Sequence, residues 1–120
     1  MVAQDGAFDK SRMEFQELLG WMEKAVVKGE RVDRVEKELN VRLRTLGRSM
    51  LQGHVDAQGT GDLGRTMTYE GRTLRRLEKP RERRLVTIFG DLTINRTVYG
   101  TWETQKQEMV PLDVRLGSST

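Results

Sequence analysis

The chain has 120 residues, 36% of them hydrophobic, with no cysteine and one histidine, His54. That length supports one modest domain or two small subdomains around a thin core, and those counts exclude disulfide staples, thiolate metal sites, a cysteine nucleophile and a histidine-built metal centre or relay. The net charge of +3 is unevenly spread: residues 1 to 64 carry 10 Lys/Arg against 11 Asp/Glu, and residues 65 to 120 carry 11 against 7.

Residues 1 to 10 show no periodicity and are expected to be disordered. Met1-Val2-Ala3-Gln4-Asp5-Gly6 has neither a basic start nor an apolar run, and no stretch approaches the roughly 20 apolar residues of a membrane span, so a cytoplasmic address without membrane contact is expected. A helical hairpin is predicted over residues 11 to 58. Ser11 and Glu14 fit a capping box at its start. Phe15, Leu18, Leu19, Met22 and Val26 follow at helical spacing and form one apolar stripe, and Gly29 supplies the stop. Trp21 lies off that stripe and marks either a partner surface or a wider core-facing stripe.

The second helix is predicted from near Arg31 to about Gln58, with Val32, Val35, Leu39, Leu43, Leu46, Met50 and Val55 on its apolar face. At about 1.5 Å per residue it runs roughly 40 Å, more than the first helix alone can cover. The remainder needs the C-terminal half or a second chain, and the near-heptad spacing suits a homodimer. Glu38 and Arg42 form a solvated pair on the far face. Gly59-Thr60-Gly61-Asp62-Leu63-Gly64 then reads as a flexible hinge over residues 59 to 64. A phosphate-binding loop is the sharper alternative, but the Walker lysine and a preceding apolar strand are missing.

From residue 65 to 113 the pattern turns extended, and a basic β-hairpin subdomain is expected. Thr66 to Tyr69 and Thr73 to Leu77 are short strand candidates. Leu85 to Phe89 and Leu92 to Tyr99 are β-branched and aromatic runs joined by Gly90-Asp91, the strongest hairpin signal in the chain. A bulged register pairing Ile88 with Leu92 and Val86 with Ile94 gives the cleaner apolar face. Arg96 interrupts that face, so it either snorkels to the edge or meets a carboxylate. A last short strand is expected from about Lys106 to Val110, ending at Pro111, with residues 114 to 120 as a tail. The fold class is therefore α+β: two N-terminal helices, the second long, and a small antiparallel sheet built on a hairpin.

The chemistry lies in the cations. Arg72, Arg75, Arg76, Lys79, Arg81, Arg83 and Arg84 stand within thirteen residues against only Glu78 and Glu82. Arginine's planar fork suits phosphate oxygens and guanine edges, and a two-stranded ribbon fits the DNA major groove. Arg72, Arg75, Arg76, Arg81, Arg83, Arg84 and Arg96 are thus the candidate contacts to double-stranded DNA. Tyr69, Tyr99 and Trp102 are candidate stacking residues, with core or rim packing as the ordinary alternative. The carboxylates Asp91, Glu103, Glu108 and Asp113 have no spacing that fixes two of them together. Asp91 reads as a turn former and Asp113 as a polar residue after Pro111-Leu112. No enzyme, cofactor, metal or small-molecule substrate is expected.

In combination, Tyr69-Glu70-Gly71-Arg72-Thr73-Leu74-Arg75-Arg76, Pro80-Arg81-Glu82-Arg83-Arg84-Leu85-Val86-Thr87-Ile88-Phe89-Gly90, Arg96-Thr97-Val98-Tyr99-Gly100, Pro111-Leu112-Asp113 and Leu116-Gly117 resemble the N-terminal region of ISKra-type bacterial insertion-sequence transposases. The resemblance covers about residues 40 to 117, and the first helix fits the family's opening more loosely. It implies a module that binds the element's terminal DNA, truncated before an RNase H-like domain whose acidic residues hold divalent metal. Those acidic residues have no counterpart here, and Ser118-Ser119-Thr120 departs from the family pattern. The expected function is a non-catalytic DNA-binding module of a transposase. The alternatives are a helical oligomerisation or scaffolding module and an inactive transposase remnant.

Overall fold

In the computed structural model, which describes residues 6–101 and 107–117, Gly29 ends helix α1 (Asp9–Lys28) with a left-handed φ of 67°. Its N–H and that of Glu30 close the last turn on Val26 and Ala25 carbonyls. Helix α2 (Val32–Asp56) returns antiparallel beside it. Helix α1 starts two residues before Ser11, so the capping box does not form. Phe8 is the N-cap without a side-chain bond, Ser11 is buried inside the helix, and Glu14 accepts a hydrogen bond from Ser49 on α2 instead. The burial of the pair interface overrides the capping preference.

Six strands follow among the described residues: β1 (Thr66–Tyr69), β2 (Arg72–Arg76), β3 (Arg81–Thr87), β4 (Gly90–Arg96), β5 (Tyr99–Gly100) and β6 (Gln107–Met109), then a short helix α3 (Pro111–Leu116). They form two antiparallel sheets, β1-β2-β5-β6 and β3-β4. The chain is therefore α+β as expected, with a four-stranded and a two-stranded sheet rather than one sheet built on a single hairpin. Glu70 and Gly71, at φ of 51° and 75°, make the two-residue turn between β1 and β2, as a type I′ loop requires.

The second hairpin departs from the expected bulged register and from a turn at Gly90-Asp91. Its turn is Ile88-Phe89, with Thr87 opposite Gly90, Leu85 opposite Leu92 and Arg83 opposite Ile94. Asp91 is a strand residue facing Val86, and Arg81 to Arg84 belong to β3 instead of leading up to it. Packing sets this register. The Phe89 ring lies over Gly47 of α2, where an added Cβ would come within 2.6 Å of it. Gln52 of α2 accepts from the Thr93 N–H at 2.9 Å and donates to its carbonyl at 2.7 Å, closing the outer edge of β4. Leu85, Leu92 and Ile94 then face Leu51 and Val55, and Leu112 and Leu116 of α3 complete that cluster. Residues 111 to 116 are thus helical, where a strand end and a tail are expected from sequence. Pro111 at the start and left-handed Gly117 at the end bound the turn.

A smaller cluster of Leu77, Val98 and Val110 lies beside the ends of β2, β5 and β6 in the four-stranded sheet. The glycine-rich segment is tied down, contrary to the hinge expected there. Thr60 accepts from the Thr97 N–H at 2.9 Å, and a Cβ on Gly61, itself at φ 79°, would meet the Leu112 nitrogen at 2.8 Å. The molecule is long, 66 × 24 × 20 Å.

Candidate nucleic-acid interface

The strand pattern distributes the arginines. Along β2, Arg72, Leu74 and Arg76 share one face and Arg75 the other, because side chains alternate across a strand. Leu74 is buried, and the arginines at either end of it meet acids: Arg72 Nη2 is 3.1 Å from Glu108, and Arg76 Nη1 is 2.8 and 2.7 Å from the two oxygens of Asp62. Along β3, Arg81 and Arg83 lie on the core-side face and Arg84 on the other, where it faces Asp91 at 3.6 Å. The seven candidates therefore sit on two sheets and on alternate faces.

Arg96 leaves the candidate set. On β4 it points inward with Leu92 and Ile94, and its guanidinium meets Asp113 of α3 at 2.7 Å, with the two side chains 9% and 6% exposed. The interruption of the apolar face is resolved by a carboxylate, and Asp113 is a buried partner rather than a surface residue. Arg72, Arg75, Arg76, Arg81 and Arg84 are exposed and Arg83 is half-buried.

Tyr99 is fully buried and packs as core. Its hydroxyl donates to the Gly64 carbonyl at 2.6 Å and accepts from the Leu63 N–H at 2.8 Å. Burial, first, and the neighbouring Asp62 raise its pKa, whereas the Gly64 N–H and the Arg76 guanidinium lower that of Asp62. Asp62, Arg76 and Tyr99 thus lock the former hinge to the sheet. Tyr69 is half-buried; Trp102, Glu103 and Lys106 lie outside the described residues.

Sequence reasoning missed Arg65. Its carbonyl accepts the Arg76 N–H at 2.8 Å, and with Thr66, Arg75, Arg76 and Glu78 it lines an open groove of about 570 Å³. The readable signal is its place one residue before a strand that pairs with β2. Among the described residues no three His, Cys, Asp or Glu side chains gather as a metal site, and no helix is long and apolar enough to cross a membrane. Comparisons with protein-family models, curated proteins and solved structures find no match.

Proposed function

We propose that this chain is a non-catalytic, cytoplasmic DNA-binding module of the insertion-sequence transposase type, with duplex DNA as its partner and the β3-β4 ribbon as the element that enters the major groove. The observation that carries the reading is the placement of Arg81, Arg83 and Arg84 along one strand of a two-stranded ribbon. The inner face of the ribbon packs on α2, so the ribbon meets the groove with its outer face, which carries Arg84, while Arg81 and Arg83, at the end of β3 away from the turn, face the flanking sugar-phosphate backbone. The acid beside Arg84 is no obstacle. An exposed ion pair contributes about 0 to 1 kcal/mol, less than a charge-assisted bond to phosphate, so the guanidinium exchanges partners readily. Arg65 and Arg75 supply a second cationic edge on the β1-β2 hairpin. The resemblance to the transposase family supports the same reading through the words of β2 and β3.

Fluorescence anisotropy with a duplex across a salt series tests it. Affinity falls as salt rises, because phosphate contacts release counterions. Replacing Arg81, Arg83 and Arg84 with alanine lowers the slope of log K against log salt by about 3, at roughly 0.9 per lost contact. Lys24→Ala with Lys28→Ala, exposed on α1, leaves it unchanged. An absence of salt-dependent binding at low ionic strength overturns the proposal.

A further inference from the structure

The two helices carry more apolar surface than their mutual contact uses. Helix α1 buries Ser11, Leu18 and Ala25, spaced seven residues apart, Ser49 of α2 bonds Glu14 beside them, and Gly53 of α2 receives the Phe8 ring just before α1. Small side chains at this seam let the helices approach closely. A second seam runs beside the first on each helix. On α1 it is Phe15, Leu19, Met22 and Val26, with steps of 4, 3 and 4; on α2 it is Leu39, Leu43, Leu46 and Met50, with the same steps. Phe15, Leu19, Val26, Leu43 and Met50 are all more than 40% exposed.

Both open seams lie on the same side of the hairpin. Near the β body they share an apolar groove lined by Phe8, Ser11, Arg12, Phe15, Leu46 and Met50. The opposite side has a different character: Trp21 lies under the Arg42 guanidinium at 4.8 Å, among Glu30, Arg34, Lys37 and Glu38. The β3-β4 hairpin covers neither seam, because it packs on the side of α2 that presents Gly47, Leu51, Gln52 and Val55.

We infer that the open apolar side of the α1-α2 hairpin is the surface on which two copies of this chain pair, forming a four-helix bundle. A helix in such a bundle buries two neighbouring heptad seams, one against each adjacent helix. Here each helix has one seam filled within the chain and one open, so the complementary surface is another pair of helices with the same geometry. A second copy supplies it, and a two-fold axis makes the patch self-complementary. The area suffices. Helix α1 is about 30 Å long and two packed helices span roughly 20 Å, so the face covers about 600 Å² per copy and about 1,200 Å² in total, at the lower bound for a specific interface. The residues of the open seams are uncharged, as a buried interface core requires.

This inference stands apart from the DNA proposal and is tested without DNA. Sedimentation equilibrium of the full chain is expected to show a concentration-dependent species of about twice 13.8 kDa. Leu19→Lys with Leu43→Lys, at exposed positions, weakens that association at least about 100-fold while far-UV circular dichroism stays unchanged, since two apolar contacts are lost and two ammonium groups would have to be desolvated. Val41→Lys, on the charged side, leaves the dimer intact. As a second readout, amide exchange in α1 and α2 slows as concentration rises. A monomer at every concentration, or a dimer unaffected by the paired lysines, overturns the inference.

Discussion

Arg96 and Asp113 show how a residue's role follows from its surroundings rather than its type. Their 2.7 Å contact is buried on both sides, yet Arg96 Nε and Asp113 Oδ1 have no hydrogen-bond partner among the described residues. Desolvation of the two charges is thus incompletely offset, and such a pair specifies the docking of α3 on β4 more than it stabilises the fold. Removing one member is different, because the other is left buried and charged. Asp113→Ala is expected to cost about 3 to 5 kcal/mol, read from urea unfolding. Arg96→Met combined with Asp113→Leu recovers most of that loss, because an apolar pair of similar volume extends the cluster of Val55, Leu92, Ile94 and Leu112. An Asp113→Ala variant as stable as the parent refutes the role given to the pair.

At the scale of elements, glycine positions separate helix propensity from packing. Gly20 in α1 has nothing within 4 Å of an added Cβ, whereas at Gly53 in α2 the same atom would come within 2.7 Å of the Ala7 carbonyl oxygen and 2.8 Å of the Phe8 ring. Gly20→Ala is expected to stabilise by about 1 kcal/mol, the helix-propensity difference, and Gly53→Ala to destabilise despite the same propensity gain, since the backbone at Ala7 must move. Thermal melts of the two variants on either side of the parent check this. The same separation explains what the sequence discloses. The helix pair and its Gly29 stop are legible because apolar periodicity and a left-handed cap are local properties, and so are the β-branched runs of the second hairpin. The carboxylate partner of Arg96 is anticipated as one of two options for a cation on an apolar face. Hidden features depend on distant contacts. The register follows from Phe89 on Gly47 and Gln52 on Thr93, which no local turn rule contains. The strand over Arg81 to Arg84 is masked by its charges, and the anchored glycine segment depends on the Tyr99 hydroxyl 35 residues away. In the candidate site, the arginine cluster is legible as composition, but its division between two sheets and its pairing with Glu108, Asp62 and Asp91 are not.

The whole molecule is far from spherical, with a radius of gyration of 19.8 Å where a compact domain of this length has about 14 Å. The excess length comes from the helical hairpin, whose far end at Gly29 extends beyond the β body. Stability is correspondingly uneven. The C-terminal turns of α2 pack against β4, whereas the turns flanking Gly29 pack only on each other, with Val26, Val27 and Val32 exposed. Local opening needs less free energy where fewer apolar contacts are lost. Amide hydrogens of residues 22 to 38 are therefore expected to exchange well before those of residues 50 to 56 and of β4 in dilute solution, as followed by mass spectrometry of peptic fragments. Uniform protection along both helices under dilute conditions would contradict this gradient. The arginines of β2 and β3 stand on hydrogen-bonded strands, so the proposed binding of a phosphate backbone would need little further ordering of the main chain.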